Sequence, residues 1–421
     1  MRVLYLCHRI PYPPDKGDKI RAFHQIRAIA ARHEVDLFTL ADDRADAVHQ
    51  QALAKYCRKI TVSHLDPKLA RLRALPFLLT SKPLTLPYFY SAELAAEVCN
   101  AFASRSYHRV FVYCSAMAQY VEPAWKVPAL LDMVDVDSDK WSQYAGFSKF
   151  PFSAIYRREG RTLREYERRA CSRFASILVT TEREAKLVRQ ISDVANVHAI
   201  SNGVDTEYFS SQAVPPTPGA PAMIFTGDMS YFPNEEAVVS FARNVHPLIR
   251  RSIPELRFLI VGRNPGPHVQ QLRKIEGVEV TGFVPDVRTY LAQAQVSVAP
   301  FSIAAGIQNK ILEAMSYGLP VVATSRVAQG LSDGVARMVD VADDAESMAA
   351  TVERLLRDPQ LAGRKGAEGR RQVAADYNWD RSLSQVLQLL ENPADNDIPI
   401  TRRSSRFHDD GIGIAPIGQV P

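Results

Sequence analysis

Short apolar runs alternate with longer stretches of helical periodicity through the first half of the chain. The predicted strands are Val3–Cys7, Val35–Leu40, Lys59–Val62, Val110–Tyr113, Ala129–Met133 and Ser176–Thr180. The predicted helices between them are Lys19–Arg32, Ala45–Tyr56, Ala92–Ser104 and Tyr156–Phe174. Apolar strands separated by helices indicate a parallel sheet that is covered on both faces.

A proline-rich segment, Val214–Pro221, interrupts this pattern with four prolines and one glycine in eight residues, which predicts a linker. The pattern then restarts. The predicted strands are Met223–Thr226, Arg257–Val261, Val278–Thr281, Val296–Ala299, Val321–Thr324 and Arg337–Val341. The predicted helices are Glu235–Arg250, His268–Lys274, Val287–Gln293, Gln308–Tyr317, Ala345–Arg357, Gln360–Gln372 and Trp379–Glu391.

The chain is therefore predicted to be an α/β protein with two doubly wound, Rossmann-like domains that face each other across a cleft. The expected divisions are a first domain (1–205), a hinge (206–222), a second domain (223–376), a last helix that crosses back to the first domain (377–392) and a disordered tail (393–421). Fold alone does not give function.

Composition excludes several other classes of protein. The 421 residues have a net charge of +5, which is too small for a dedicated nucleic-acid binder. Five scattered cysteines without a C-x-x-C pair argue against a disulfide scaffold or a zinc ribbon. The apolar runs are too short for a signal peptide or a membrane span, so we expect a cytoplasmic protein, or one bound to the membrane only at its surface.

The most informative segment is GIQNKILEAMSYGLPVVATSRVAQG, Gly306–Gly330. A glycine loop leads from a strand into a helix, where backbone N–H groups and the helix dipole favour an anion such as a diphosphate. Lys310 lies within reach of a phosphate. Glu313 shares a helix face with Asn309 and Lys310 and could accept both hydroxyls of a ribose. The alternative is an exposed Lys–Glu pair on a surface helix.

Glycines also end other strands of the second domain. Gly227, Gly262 and Gly282 follow its first three strands, as expected where backbone must approach a ligand, although ordinary βα turns show the same feature. Asn234 and Asp286 are predicted helix caps.

In the first domain, the loop RIPYPPDKGDKIR (Arg9–Arg21) is basic and rich in proline. Asp18 is its predicted helix cap. The alternative is a solvated loop without a ligand. The candidate residues for an acceptor or phosphate loop are Lys16, Gly17, Asp18, Lys19 and Arg21.

Two charged segments leave alternatives open. LLDMVDVDSDKW places Asp132, Asp135, Asp137 and Asp139 at the end of a strand. They could hold Mg²⁺ or Mn²⁺, but we favour Asp135 or Asp137 as a cleft residue that contacts the acceptor. Helix capping and solvation of these carboxylates are the third option.

The second charged segment, Arg157–Arg173, contains seven arginines and three glutamates. This strip is either a solvated helix face or a surface attracted to anionic lipid.

These motifs together resemble a retaining glycosyltransferase of family four, which has the GT-B fold. The resemblance covers Met1 to about Glu391 and is strongest over 201–330, in SNGVDTEYF, FTGDMSYFPNEEAV, TGFVPDVRTYLAQAQVSVAPF and GIQNKILEAMSYGLPVVAT. RIPYPPDKGDKIR, LLDMVDVDSDKW and GDMSYFPN further resemble the sugar transferases associated with PEP-CTERM/exosortase and exopolysaccharide loci.

The resemblance implies transfer of a sugar from a nucleoside diphosphate sugar to a saccharide or polyprenyl-linked saccharide, without a metal or other cofactor and without nucleic acid. No catalytic residue is assigned beyond Asp135 as a candidate in the cleft. The implied donor-binding residues are Gly227, Asn234, Gly262, Gly306, Ile307, Asn309, Lys310 and Glu313.

The sequence departs from the family at two places. Ala305 stands where relatives often have a first glutamate, with seven residues between it and the second one, Glu313. Ser230, Tyr231 and Phe232 occupy a loop that often contains Arg and Lys. A GT-B nucleotide-sugar epimerase or hydrolase, and a non-catalytic nucleotide-sugar-binding subunit, therefore stay open as alternatives.

Overall fold

The first half of the chain folds around one parallel sheet. The computed structural model describes residues 1–14, 17–42, 48–304 and 306–392, without the side chain of Asp18. Within these residues the strands are β1 (Arg2–Cys7), β2 (Glu34–Ala41), β3 (Lys59–His64), β4 (Arg109–Tyr113), β5 (Ala129–Val134), β6 (Ser176–Val179) and β7 (Val197–Ala199). The sheet order is β3-β2-β1-β4-β5-β6-β7.

Helices cover both faces of this sheet. They are α1 (Gly17–Ala30), α2 (Gln50–Leu53), α3 (Pro67–Ala74), α4 (Thr85–Tyr88), α5 (Ala92–Ser104), α6 (Asp137–Phe147), α7 (Phe152–Cys171) and α8 (Glu182–Ser192). Two 3₁₀ segments, Leu75–Leu79 and Ser115–Tyr120, connect them.

The second half repeats this architecture. Its strands are β8 (Ala222–Thr226), β9 (Arg257–Val261), β10 (Val278–Val280), β11 (Val296–Ala299), β12 (Val321–Ala323) and β13 (Asp340–Val341), in the order β10-β9-β8-β11-β12-β13. Its helices are α9 (Phe232–Asn244), α10 (His246–Arg250), α11 (Pro267–Gln271), α12 (Arg288–Leu291), α13 (Asn309–Tyr317), α14 (Ser325–Ala328), α15 (Asp333–Ala336), α16 (Ala345–Arg357), α17 (Pro359–Asp376) and α18 (Trp379–Glu391), with a 3₁₀ segment at Leu272–Lys274.

The prediction of two doubly wound parallel sheets is confirmed. Almost every residue of β1, β4, β8 and β9 is buried, because helices lie on both sides of each sheet. Strand order reverses between β1 and β4 and between β8 and β11. In open α/β sheets, such points open a crevice at the carboxyl ends of the strands.

Several predicted elements differ from those observed. The predicted helix Ala45–Tyr56 falls partly outside the described residues, and only Gln50–Leu53 is helical. The predicted strand Arg337–Val341 is reduced to two residues. The helices α6 and α8 were not predicted. The predicted tail 393–421 lies outside the described residues.

The last helix, α18, packs on the first sheet. Its residues Val386, Leu387 and Leu390 share a core with Val3 and Ile26. At the start of this helix the Trp379 ring stacks on His24, with 4.2 Å between ring centroids. A Cβ on Gly203 would lie 2.5 Å from the Trp379 ring, so the chain just before the hinge passes directly over this indole.

No helix in the described part of the chain is long and apolar enough to cross a membrane. All five cysteines are free thiols.

Candidate functional site

The loop after β11 delivers the start of α13 to the cleft. Gly306 has φ +59°, a left-handed conformation that glycine adopts without strain. The helix then runs from Asn309 to Tyr317 and ends at Gly318, which has φ +103°. Ile307 is partly buried and packs against the hydrophobic core of the second domain. Ala305 lies outside the described residues.

Three strand ends meet beside this helix. A Cβ on Gly262 would lie 1.6 Å from the carbonyl oxygen of Gly227, so only glycine allows this approach. Gly262 also forms an isolated antiparallel bridge with Gly282. Therefore the loops after β8, β9 and β10 converge at the carboxyl edge of the second sheet.

Lys310 reaches into this convergence. Its Nζ donates to Asn234 Oδ1 at 2.5 Å and lies 4.6 Å and 4.8 Å from the ring centroids of Phe225 and Phe301. Burial lowers the pKa of Lys310 to about 7, although the charges of Glu313 and Asp228 oppose this shift. The ammonium group is therefore poised to gain stability from an anion.

Asn234 links Lys310 to the first loop of the domain instead of capping a helix. The prediction of a cap is wrong, because α9 begins at Phe232, two residues earlier. The Asn234 side chain donates to the carbonyl oxygen of Asp228 at 2.8 Å. It thus fixes the position of the ammonium group of Lys310.

Glu313 lies one turn further along α13. Burial raises the pKa of its carboxyl to about 7, although the positive charge of Lys310 partly opposes this shift. Within the described part of the chain, this carboxylate forms no hydrogen bond. Its acceptor capacity is available to a ligand.

Arg263 is a cation of this site that the sequence analysis did not identify. Its Nε is 3.0 Å from Asp228 Oδ2, which also holds the first loop through Asn264. Ser230 binds the same carboxylate through its hydroxyl group at 2.7 Å. The sequence feature that could have identified Arg263 as a site residue is its position directly after Gly262, at the end of a strand.

A pocket of about 420 Å³ adjoins Gly282. It lies beside the converging loops and is lined by Thr281, Phe283, Val284, Pro285, Asp286, Thr289 and Tyr290. Asp286 accepts a hydrogen bond from the backbone N–H of Arg288, near the start of α12.

Asp135 brings the first domain to the glycine loop. A Cβ on Gly306 would lie 2.0 Å from Asp135 Oδ1, so the carboxylate packs directly on that glycine. The preceding Val134 has φ +67°, which is strained for a β-branched residue. The register between β5 and β6 shifts at the same place. The strained backbone and the register shift together direct the Asp135 side chain into the cleft.

Lys140 lies beside this carboxylate, 3.7 Å from Asp135 and 2.9 Å from Asp137. Burial raises the pKa of Asp135, while Lys140 opposes that shift. Burial alone would lower the pKa of Lys140. The charges of Asp137 and Asp135 outweigh that effect, so the pKa of Lys140 is raised and the amine stays charged. Asp139 instead pairs with Arg183. No group of three or more His, Cys, Asp or Glu within the described ranges is arranged to hold a metal ion.

The described residues of the basic N-terminal loop lie at the domain interface or in the interior. Gly17 lies at the domain interface, since a Cβ there would be 3.6 Å from Asn309 Nδ2. Asn309 Oδ1 also accepts from Asn202 at 3.1 Å. Lys19 is buried. Lys16 and the Asp18 side chain are outside the described residues.

Arg21 does not face a ligand, contrary to the sequence-based expectation. Its guanidinium is almost fully buried and donates to Asp132 Oδ2 at 2.7 Å. It also donates to the Ile200 carbonyl oxygen at 2.9 Å and to Asn202 at 3.0 Å. Arg21 therefore fastens β5 and the segment that precedes the hinge to α1, because a buried charge needs such partners.

Each half of the chain matches a known domain family. The model "Glycosyl transferase 4-like domain" matches residues 19–203, and "Glycosyl transferases group 1" matches residues 220–358. The putative glycosyltransferase EpsD of Bacillus subtilis is 25% identical over 182 residues, 42% of this chain and 46% of that protein. The chain thus matches about half the length of its first curated relatives.

Two solved structures have a similar fold. Sucrose-phosphate synthase from Thermosynechococcus elongatus has a TM-score of 0.69 at 20% identity, covering 93% of this chain and 98% of its own. Anabaena HepE, solved with UDP and glucose, has a TM-score of 0.66 at 15% identity, covering 93% and 100%. The two domain models match one on each sheet and together cover more than half of the chain, which therefore combines a glycosyl transferase 4-like domain with a glycosyl transferases group 1 domain in the GT-B fold.

Proposed function

We propose that this glycosyltransferase moves a sugar from a nucleoside diphosphate sugar to a saccharide or lipid-linked saccharide, with retention at the anomeric carbon. The observation that supports this most is the placement of Lys310 and Glu313 one turn apart behind the Gly306 loop. An ammonium group of depressed pKa and a carboxylate with open acceptor capacity lie one turn apart at a helix N-terminus. A diphosphate and a ribose match these two groups.

The donor would lie across the carboxyl edge of the second sheet. The backbone at Gly306 and the start of α13 would receive the diphosphate, and Lys310 would stabilise charge on the leaving group. The pocket beside Gly282 would receive the base. Arg263 adds positive charge near the loop in which Ser230, Tyr231 and Phe232 replace the usual cations.

Asp135 would supply the carboxylate that Ala305 does not. It approaches the same loop from the first domain, so it would face the donor sugar or the acceptor when the cleft holds both. The partly buried Lys140 lies 3.7 Å from this carboxylate, which limits the cost of placing its charge in the cleft. We assign no catalytic base.

The biological setting is proposed from similarity. EpsD is named a putative glycosyltransferase, and the motifs of the chain resemble PEP-CTERM/exosortase sugar transferases. We propose a role in exopolysaccharide or cell-surface polysaccharide synthesis, at the cytoplasmic face of the membrane. Of the arginine strip, Arg157, Arg161 and Arg164 are exposed on one face of α7 and free to meet anionic lipid.

The other arginines of the strip have partners within the protein. Arg158 and Arg173 donate to backbone carbonyl groups, and Arg168 and Arg169 pair with Glu165. The membrane contribution of α7 is therefore smaller than seven arginines would suggest.

A thermal-shift screen with UDP-, GDP-, ADP- and TDP-sugars tests the proposal directly. We expect one nucleotide class to raise the melting temperature and then to support transfer. Release of free sugar without any acceptor would favour the epimerase or hydrolase alternative. Binding without turnover on any acceptor would favour the non-catalytic subunit.

Glu313→Gln is expected to weaken donor binding while the fold stays intact. The loss of a charge-assisted hydrogen bond costs about 1.5–3 kcal/mol, or roughly a 10- to 150-fold rise in the donor Kd. Isothermal titration with the donor measures this rise. Glu255→Gln, at an exposed glutamate of the same domain, is the control. Equal Kd values for the two variants would exclude the ribose assignment.

Activity is expected to survive EDTA, because Lys310 and backbone amides would neutralise the diphosphate in place of a metal. The measurement is the rate of transfer after chelation and again after addition of Mg²⁺ or Mn²⁺. A rate that EDTA abolishes and either ion restores would support the metal site at Asp135–Asp139.

A further inference from the structure

Two segments of the first domain expose large apolar side chains. Among the described residues, seven of fourteen exposed large hydrophobic residues lie in these segments, so they are not scattered. They are Leu69, Leu72, Leu75, Leu79, Phe147, Phe150 and Phe152. Leu79 is 94% exposed and Phe150 is 85% exposed. Apolar surface left in water adds little to the stability of the folded chain.

The two segments are fastened to each other. Arg158 of α7 donates to the carbonyl oxygens of Phe77 at 2.6 Å and Lys82 at 2.9 Å, and also to that of Thr80. The buried Glu159 accepts from the backbone N–H groups of Leu84 and Thr85. Leu79 therefore lies near the first turns of α7.

The phenylalanines belong to the same surface. Phe152 is six residues before Arg158, about 9 Å along the helix axis, and Phe150 directly precedes the helix. We call the exposed apolar residues of 69–79 and 147–152 the apolar face.

The charge around the apolar face is predominantly positive, and the acidic group next to it is Asp66, which caps α3 beside Leu69. Residues 67–92 and 141–158 contain no Asp or Glu. Their basic residues are Lys68, Arg71, Arg73, Lys82, Lys149, Arg157 and Arg158. A second copy of the chain would bring like charges together on this face. An anionic lipid surface instead complements the charge and also accepts the apolar side chains.

Aromatic rings connect the apolar face to the cleft. The Phe152 ring is 6.2 Å from that of Tyr156, which is 6.2 Å from that of Tyr144. Tyr144 is in turn 6.0 Å from Phe232, at the start of α9 in the second domain. Three ring-to-ring steps thus lead from the apolar face to the donor side of the cleft.

The geometry points to the apolar face as the surface that inserts into an anionic bilayer and places the cleft beside it. A lipid-linked acceptor held in the bilayer would then reach the donor along the Tyr156–Tyr144 side of the cleft. The inference about the acceptor rests on the proposed sugar transfer, whereas the insertion itself does not. Leu and Phe would enter the acyl region, and the neighbouring cations other than Arg73 and Arg158, which donate to backbone carbonyl groups, would meet headgroups.

Vesicles of phosphatidylglycerol and phosphatidylcholine test the insertion by co-sedimentation with the full chain. At 1 M salt, where the screening length is about 3 Å, we expect binding to persist through apolar contacts. The variant Leu72→Ser/Leu79→Ser/Phe150→Ser/Phe152→Ser should lower this salt-resistant binding about tenfold or more, because each apolar side chain left in water weakens the association. Val48→Ser/Val341→Ser, at exposed positions elsewhere, should bind like the wild type.

Two further measurements separate this idea from others. Leu79→Trp should show a blue shift of its emission on addition of vesicles, and Val48→Trp should not. The thermal shift with a nucleotide sugar should be equal in all variants, which keeps a failure of sugar transfer distinct from a failure of docking. Equal vesicle binding by the quadruple and control variants would overturn the proposal. A wild-type dimer that ignores vesicles and becomes monomeric in the quadruple variant would also overturn it.

Discussion

Replacement of Lys310 by methionine is expected to lower kcat by about 10²- to 10³-fold, the loss seen when one preorganised donor to a developing negative charge is removed. Lys310 is positioned by Asn234 and by two aromatic rings, so no other described amine can take its place at the same atoms. Steady-state transfer at saturating donor measures the effect. Lys274→Met, at an exposed lysine of the same domain, is the matched control.

The pH dependence of nucleotide binding gives a second view of the same amine. Burial lowers the pKa of Lys310 to about 7, so the ammonium form is present below pH 7 and is lost as the pH rises above it. A diphosphate favours the ammonium form, so its binding should weaken with increasing pH above about 7 and take up protons. Titration calorimetry in buffers of different ionisation enthalpy measures this uptake. An unchanged uptake in Lys310→Met would show that another group is responsible.

Asp132→Asn is expected to destabilise the first domain by about 3–5 kcal/mol, since it leaves the Arg21 guanidinium buried without its carboxylate. Asp132 also accepts from Gln25 at 2.5 Å, so one oxygen holds two side chains of α1. For a domain of this size the melting temperature should fall by roughly 6–20 °C. Thermal denaturation followed by circular dichroism measures it.

The exposed pair of Arg2 and Glu34 provides the control for this prediction. Its atoms are 3.2 Å apart, but both side chains are partly solvated, so Arg2→Gln should cost at most about 1 kcal/mol. A melting temperature of Asp132→Asn that equals that of Arg2→Gln would show that the buried pair contributes little.

The parallel sheets could be predicted because their strands are buried on both faces. Such strands are apolar throughout, and segments like Leu4–Leu6 or Phe258–Val261 stand out from the polar helices around them. The helix α6 could not be recognised in this way, because only Ser138 and Ala145 of its residues are buried. Its helical form depends on packing against α7, which local periodicity does not report.

The donor side of the site could be predicted because it is local. A glycine, a lysine and a glutamate fall within eight residues of one loop and helix, Gly306–Glu313. The contact of Asp135 with Gly306 could not be predicted, because it joins two domains and depends on a strained Val134. Arg21 was misjudged for a related reason. Its partner Asp132 is 111 residues away, and a basic loop does not reveal that one of its charges is buried.

The position of α18 has a consequence for the exchange of parts between such enzymes. Val386, Leu387 and Leu390 complete a core that otherwise comes from the beginning of the chain. If the chain were cut within the linker, the N-terminal fragment would have an exposed core. The C-terminal fragment would have an apolar helix, α18, without the sheet on which it packs. A chimera with a new donor specificity should therefore be built as an insertion that replaces the segment between the linker and Tyr377, and the recipient should keep its own final helix.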